Sequence, residues 1–284
     1  MTGLTGDAAS IFWNPAGIVN VANTAVHFSH MEWFRYFDFT TASMVLNRGR
    51  WGSFGVGVIV FRMEEMEITT EYEPNGTGRF FDAQDLALNF TYARSLTDRF
   101  QVGLTGKYIH QRIWNETAKG MAIDVGTQYR IDFRNLALAM SMTNFGPNLR
   151  MTGPELSVTY DADPNFPNRI VPAMKQTEDY PLPLNFKFGI AVDLLNTPLL
   201  KIRNGLDVIH PNDNDERIQV GTEVSFADRF YLRGGYQFGH DSERGNAGFG
   251  IHTALSGYIL SLDYSYSMYD LLPDIQQVSV GLSF

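Results

Sequence analysis

The amino-acid sequence predicts an all-β fold, a transmembrane antiparallel up-and-down β-barrel of about fourteen strands. Three observations support this prediction. Segments with alternating apolar and polar residues recur along the chain, their number is even, and the connections between them are sorted by length. An alternating strand has one apolar and one polar face, and in a membrane barrel these two faces meet lipid and lumen.

The composition is compatible with such a barrel and excludes several other classes. The chain has 284 residues, 44% of them hydrophobic, with a mean hydropathy of only -0.16. Its longest apolar run, near residues 55–61, is far shorter than the roughly 20 residues of a spanning helix. The net charge of -9 argues against a nucleic-acid partner. The absence of cysteine excludes disulfides and thiolate chemistry.

The strand-like segments begin after residue 22, and each is bounded by turn-forming residues. We place the fourteen predicted strands at residues 23–31, 35–47, 51–63, 84–95, 99–112, 118–130, 134–144, 183–194, 199–209, 216–226, 229–239, 245–255, 257–268 and 275–284. An even number is what a single-chain bacterial barrel requires.

The last strand shows the alternation most clearly and ends on an aromatic residue. Val278, Val280, Leu282 and Phe284 mark its apolar face, and serine, glycine and glutamine lie between them. This pattern resembles the closing strand of bacterial outer-membrane barrels, which serves as their assembly signal. It implies an outer-membrane location in a Gram-negative bacterium, with outer-membrane lipid around the wall.

The connections provide an independent prediction of orientation. If Phe284 is periplasmic, every connection on that side is a tight turn, and the long connections lie on the other side. Both chain termini are then periplasmic. No signal peptide is visible at Met1, so we expect the sequence to begin after one or to be incomplete at this end.

The first 22 residues do not alternate, and Pro15 and Gly17 interrupt any regular element there. The block Phe12, Trp13, Asn14, Pro15, Ala16 and Gly17 resembles a signature of the PorV/PorQ family, which is related to the FadL long-chain fatty-acid transporters. The resemblance implies a short N-terminal hatch, or plug, of residues 1–22 in the lumen of a barrel of residues 23–284. The alternative is a plain apolar N-terminal segment.

Further blocks in the second half, such as residues 182–189 and 207–213, resemble the same family in the same order. Two functions follow from this resemblance. The first is a binding or scaffold component of an outer-membrane or type IX secretion assembly, with partner proteins at the extracellular loop of residues 145–182. The alternative is a FadL-like transporter of hydrophobic, fatty-acid-like small molecules. The six prolines of that loop indicate an ordered lid, and the alternative is a mobile surface loop.

Charged residues on the polar faces of the predicted strands indicate an ionic network in the lumen. Its predicted members are Lys107, Asp124, Lys187, Glu223, Arg233 and Asp263. Such charges either line a polar channel or hold wall and plug together, and the structural role is the more common one. Glycines Gly52, Gly55 and Gly57 of the third strand predict either a kink in the wall or room for the hatch.

The sequence contains no pattern of a catalytic or cofactor site. No Gly-x-Ser-x-Gly nucleophile motif, nucleotide fingerprint or metal-type histidine spacing is present. We therefore expect no enzyme activity, no cofactor and no metal.

Overall fold

The computed structural model describes residues 1–3, 5–34, 36–161, 170–239, 243–270 and 272–284, with the backbone alone at positions 161, 170 and 244. Fourteen antiparallel strands form one closed barrel in which each strand pairs with its neighbour in the sequence. The ring closes between the last strand and the first, where Phe28 lies opposite Val280. The predicted fold class is therefore confirmed.

The strands are longer than most strands of soluble sheets, as a membrane-crossing wall requires. They are β1 (Thr24–Trp33), β2 (Phe37–Asn47), β3 (Ser53–Met63), β4 (Ala83–Ser95), β5 (Phe100–Ile113), β6 (Glu116–Ile131), β7 (Leu136–Phe145), β8 (Asn185–Asn196), β9 (Leu200–Pro211), β10 (Arg217–Phe226), β11 (Phe230–Phe238), β12 (Glu243–Leu255), β13 (Tyr258–Tyr269) and β14 (Ile275–Ser283).

The remaining elements are short. Two-stranded hairpins outside the barrel pair Met66–Glu67 with Phe80–Phe81 and Ser157–Asp161 with Ile170–Met174. The 3-10 helices are Ala8–Phe12, Pro15–Asn20, Gly49–Trp51, Phe133–Asn135 and Pro154–Leu156. None of the helices in the described part of the chain is long and apolar enough to cross a membrane.

The alternation of the sequence sets which face of each strand is turned outward. On β14, Val278, Val280 and Leu282 are exposed on the outside of the barrel, and Ser279 is buried on the inside. The ring of Phe284 lies 5.6 Å from that of Tyr258 at the same end of the barrel. Apolar side chains on the outside and polar ones inside are the arrangement of a lipid-facing wall.

The two ends of the barrel differ in their connections. At the end that carries Phe284, here named the turn end, all connections are tight. The turn after β10 is an example, because Ala227 and Asp228 both have positive φ (53° and 54°), as a two-residue hairpin of type I′ requires. At the opposite, loop end the connections of residues 64–82 and 146–184 are long, whereas those of residues 34–36 and 114–115 are tight.

Candidate functional site in the barrel lumen

The N-terminal segment, residues 1–22, lies against the inner face of the wall, with Leu4 outside the described residues. Its centre is Asn14, whose side chain accepts a hydrogen bond from the Ala16 backbone N–H (3.1 Å) and so caps the second short helix. The Asn14 amide also donates to the carbonyl oxygens of Thr2 and Thr127, each at 3.2 Å. One buried side chain therefore holds two parts of the segment together and ties them to β6.

Glycines of β5 and β6 bring the wall into contact with this turn. A side-chain carbon at Gly126 would overlap the Asn14 oxygen, and one at Gly103 would overlap the backbone between Pro15 and Ala16. Only glycine leaves the space for such a close approach of two backbones. The sequence analysis did not single out these two glycines.

The glycines of β3, for which a kink was one of two predicted roles, face the other part of the segment. A Cβ at Gly55 would lie 3.1 Å from Ile11 Cδ1, and one at Gly57 would lie 3.0 Å from Phe12 Cε1. β3 pairs with β2 and β4 along its length without a register shift, so its ladder contains no bulge. Gly52 lies in the preceding turn with a φ of 89°. The geometry favours room for the segment over a kink.

Polar contacts fasten the segment to β6 and β9. The backbone N–H and the hydroxyl of Thr2 both donate to Asp207 Oδ2, at 2.7 and 3.1 Å. Gln128 Oε1 accepts hydrogen bonds from the Thr5 hydroxyl (3.0 Å) and the Asn20 amide (2.9 Å). In the sequence, Asp207 and Gln128 are recognisable only as polar residues at inward-facing strand positions.

The segment divides the lumen into two unlike sides. The covered side is the inner face of β1–β9, and the open side is the inner face of β10–β14. The boundary lies at β9 and β10, because Met1 reaches Gly221 of β10 and Arg203 of β9 contacts Glu223 on the open side. On the covered side the Asp124 side chain is 0% and the Lys107 side chain 8% exposed, whereas on the open side Arg233 is 36% and Asp263 25% exposed. The predicted ionic network is therefore two separate groups of charges.

The group on the covered side is a buried ion pair. Lys107 Nζ lies 2.7 Å from Asp124 Oδ2 and donates to Asn144 Oδ1 at 2.8 Å. Asn144 has a φ of 65° and donates its own N–H to Asp124 Oδ1 at a break in the register of β6 and β7. Lys187, another predicted member of the network, faces inward on β8. Within the described chain, no ion pair links it to the other predicted members.

The group on the open side is a chain of alternating charges across neighbouring strands. Glu223 and Arg233 are directly opposite on β10 and β11 and are joined at 2.7 Å. Arg233 also contacts Asp263 of β13 at 2.5 Å, and His252 Nε2 lies 3.3 Å from the same carboxylate. Arg203 of β9 extends the chain, at 3.8 Å from Glu223. Three of the six predicted network residues meet here.

Apolar residues predominate on the inner face of β1–β5 towards the loop end, where simple alternation of the strands in a polar lumen would place polar ones. Asp85 and Gln111 are the polar residues among them, and the Gln111 amide donates to Asp85 Oδ2 at 3.1 Å. Ile59, Ala87 and Ile109 lie side by side in register on β3, β4 and β5. Beside them on β2 and β3, the rings of Phe37 and Phe61 stack 5.3 Å apart. The apolar inner surface, as we name it, comprises Trp33, Phe37, Phe39, Ile59, Phe61, Ala87 and Ile109.

The long connection of residues 146–184 folds back over the barrel mouth beside this surface. Leu149 is buried against Ile109 and Ala118 in one apolar cluster. The Tyr180 hydroxyl donates to Gln111 Oε1 at 2.7 Å, and burial and the nearby Asp85 raise the pKa of Tyr180. The parts of this loop next to the barrel are thus packed against the wall, whereas Tyr160, Val171 and Met174 of its hairpin are exposed. Residues 162–169 lie outside the described residues, and an ordered lid stays a prediction.

The described residues contain no group of three or more histidine, aspartate and glutamate side chains arranged to hold a metal ion. Ser261 is directly opposite His252 on neighbouring strands, next to Asp263. A hydrolytic triad requires the serine hydroxyl bonded to the histidine, and no such bond joins these two in the part of the chain that is described.

Several solved structures share the barrel fold of this chain, and two of them are named as a transporter and a channel. The "Pseudomonas putida toluene transporter TodX" aligns with a TM-score of 0.61 at 12% identity, over 99% of this chain and 95% of that one. The "CymD monoaromatic hydrocarbon channel" gives 0.60 at 10% identity, covering 100% and 94%. A "Pseudomonas aeruginosa FadL homologue" gives 0.60 at 10% identity, covering 100% and 95%. Identities this low establish a shared fold only.

The sequence itself matches no protein-family model and no curated protein. These comparisons therefore do not support the resemblance to PorV/PorQ proteins. They do show that the chain shares the FadL-type barrel fold over almost its whole length.

Proposed function

We propose that this barrel lies in the outer membrane of a Gram-negative bacterium and transports a small hydrophobic molecule into the cell. The single observation that carries the proposal is the apolar inner surface. Aromatic side chains such as Phe39 and Phe61 would be unfavourable in a lumen that served only water-soluble solutes, because apolar surface exposed to water is costly. They are suited to bind a hydrophobic molecule before it moves on.

The fold supports the same substrate class. The similar structures are a toluene transporter and a monoaromatic hydrocarbon channel by name, and the chain shares their barrel over nearly its full length. We infer a ligand of that kind, a monoaromatic hydrocarbon or another small molecule with a compact apolar body. The type IX secretion role, and partner proteins at residues 145–182, have no support from the comparisons and are not carried further.

In this proposal the turn end, which carries Phe284, is periplasmic, and the loop end is extracellular. The N-terminus was also predicted to be periplasmic, and Met1 lies inside the lumen, next to Gly205 of β9. The N-terminal segment serves as the hatch, because it lies between the apolar inner surface and the turn end. Its centre would be Asn14, with Phe12, Trp13, Pro15, Ala16 and Gly17 around it. The outward face meets lipid, and Val278, Val280, Leu282 and Phe284 act as the assembly signal.

Uptake by whole cells tests this function. Cells that produce the barrel should accumulate radiolabelled toluene or oleate faster than cells without it. The double variant Phe39→Ala/Phe61→Ala should lose most of this gain, because it removes two rings of the apolar inner surface. Phe54→Ala is the matched control, since Phe54 is an exposed ring on the outward face of β3. Equal uptake with and without the folded barrel would refute the proposal.

A further inference from the structure

The open side of the lumen has a different chemistry from the apolar inner surface. Most inward positions of β12, β13 and β14 are occupied by small or polar residues, and the larger apolar or aromatic side chains Ile259, Tyr269 and Ile275 lie at the strand ends. The small or polar residues are Asn246, Gly248, Gly250, His252, Ala254, Ser261, Asp263, Ser265, Ser267, Gln277, Ser279, Gly281 and Ser283. An inner face of serine, glycine and paired charges is the lining of a water-filled barrel rather than of a hydrophobic site.

Inward glycines show where the N-terminal segment reaches and where it does not. On β3, β5, β6 and β8–β10, an added side-chain carbon would meet atoms of the segment. On the open side, a carbon at Gly248 or Gly250 would meet only atoms of the wall, such as Asp263 and Arg233. Among the described residues, no hydrogen bond joins the segment to β11–β14.

Solvent exposure shows the same asymmetry. Polar residues of the covered side such as Thr105 and Gln128 are buried beneath the segment, at 0% and 1% exposed. On the open side Ser225, Gln237 and Ser279 are also buried, but Asn246 of β12 is exposed, and Ser261, Ser265 and Ser267 along the next strand are partly so. The segment itself presents the exposed residues Gly6 and Asp7. Water therefore reaches one flank of the lumen along β12 and β13.

We propose that this barrel also conducts small hydrophilic solutes, including monovalent ions, along the open side between the N-terminal segment and β10–β14. The charge chain of Glu223, Arg233 and Asp263 lies on this route. Its alternating signs offer both donors and acceptors, so a hydrated solute can exchange partners as it moves. A hydrophobic molecule gains nothing from such a lining, and the two classes of solute use different sides of one lumen.

The absence of cysteine makes a selective test possible, because any introduced thiol is the only one in the chain. Ser265→Cys places a thiol on the open side, and Thr105→Cys places one on the covered side. Each purified full-length barrel is reconstituted in a planar lipid bilayer in potassium chloride. Its conductance is recorded before and after a cationic methanethiosulfonate reagent is added, and heat-modifiable migration on gels verifies folding.

The proposal requires a steady conductance for the unmodified barrel. Modification should reduce the conductance of Ser265→Cys to about half or less, because the attached group narrows the route, and should leave Thr105→Cys unchanged. Ser265→Trp should act like the modified thiol, whereas Tyr264→Trp, on the lipid-facing side of the same strand, should conduct normally.

Three results would overturn the proposal: a folded barrel without conductance, a conductance that neither Ser265→Cys modification nor Ser265→Trp reduces, or a block confined to Thr105→Cys. Hydrophobic uptake by cells is measured separately, so failure here leaves the transport proposal unaffected, and the reverse also holds.

Discussion

The covered and open sides of the lumen both contain inward ion pairs, but these pairs differ in their access to water. Lys107 and Asp124 on the covered side are sealed from water, whereas Arg233 and Asp263 on the open side are partly hydrated. A buried charge that water does not reach depends on its ion-pair partner far more than a charge that water can solvate. The position of the N-terminal segment, rather than the sequence of the strands, therefore decides whether an ion pair in the lumen is sealed from water or hydrated.

The largest difference between the two sides should appear when one partner of an ion pair is removed. Lys107→Met leaves Asp124 buried without a cation and should lower the free energy of unfolding by about 3–5 kcal/mol. Arg233→Met is the matched change on the open side and should cost about 1 kcal/mol or less, because water compensates Glu223 and Asp263. Guanidinium titration of the barrel in lipid vesicles measures both.

The double variant Lys107→Met/Asp124→Leu serves as the control for this comparison. It removes both charges and should recover much of the loss caused by Lys107→Met alone. Equal costs for Lys107→Met and Arg233→Met would mean that the two sides are equally hydrated, contrary to the asymmetry described.

The next largest difference should appear at the inward glycines. Gly126→Ala places a methyl group against the Asn14 side chain and should destabilise the barrel by about 1–3 kcal/mol through overpacking. The segment should also become accessible to protease. Gly248→Ala, where the nearest atom is a wall carbonyl at 3.1 Å, should change stability by about 0.5 kcal/mol or less. Limited proteolysis with N-terminal detection tests both, and protection of the segment in Gly126→Ala would contradict the contact.

A smaller effect is expected at the cap of the segment. Asn14→Ala removes the acceptor for the Ala16 N–H and should cost about 0.5–2 kcal/mol, with loosening restricted to the N-terminal segment. Asn246→Ala removes an amide from the open side and should leave the segment unaffected. Hydrogen exchange of the segment distinguishes the two variants, and unchanged protection in Asn14→Ala would show that the cap does not hold it.

The sequence predicted the barrel because its wall repeats one simple rule. Strict alternation, as on β14, reports which face meets lipid, and the turn residues report where each strand ends. Alternation also places Glu223 and Arg233 on the inner face, and the tight hairpin between their strands sets the register in which they are directly opposite.

The lumen was predictable only in part, because contacts between the N-terminal segment and the wall have no periodicity. Nothing in the local sequence distinguishes Gly126, which accommodates Asn14, from Gly248, whose neighbours are atoms of the wall alone. The aromatic residues Phe39 and Phe61 did carry a signal. Phe39 lies an even number of residues from the inward Ser43 on β2, and Phe61 lies an even number from the inward Gly57 on β3. Both rings must therefore face a lumen that is otherwise predicted to be polar.

Direct binding to the apolar inner surface tests the account most closely. The variant Trp13→Phe/Trp51→Phe/Trp114→Phe keeps Trp33 as the single tryptophan, close to Phe39 with ring centroids 6.5 Å apart. Bromobenzene, a heavy-atom quencher of toluene size, is titrated into the purified barrel while Trp33 fluorescence is recorded. The account predicts saturable quenching that toluene reverses and that Phe39→Ala/Phe61→Ala weakens. Quenching that rises linearly and does not respond to toluene or to the double substitution would contradict it.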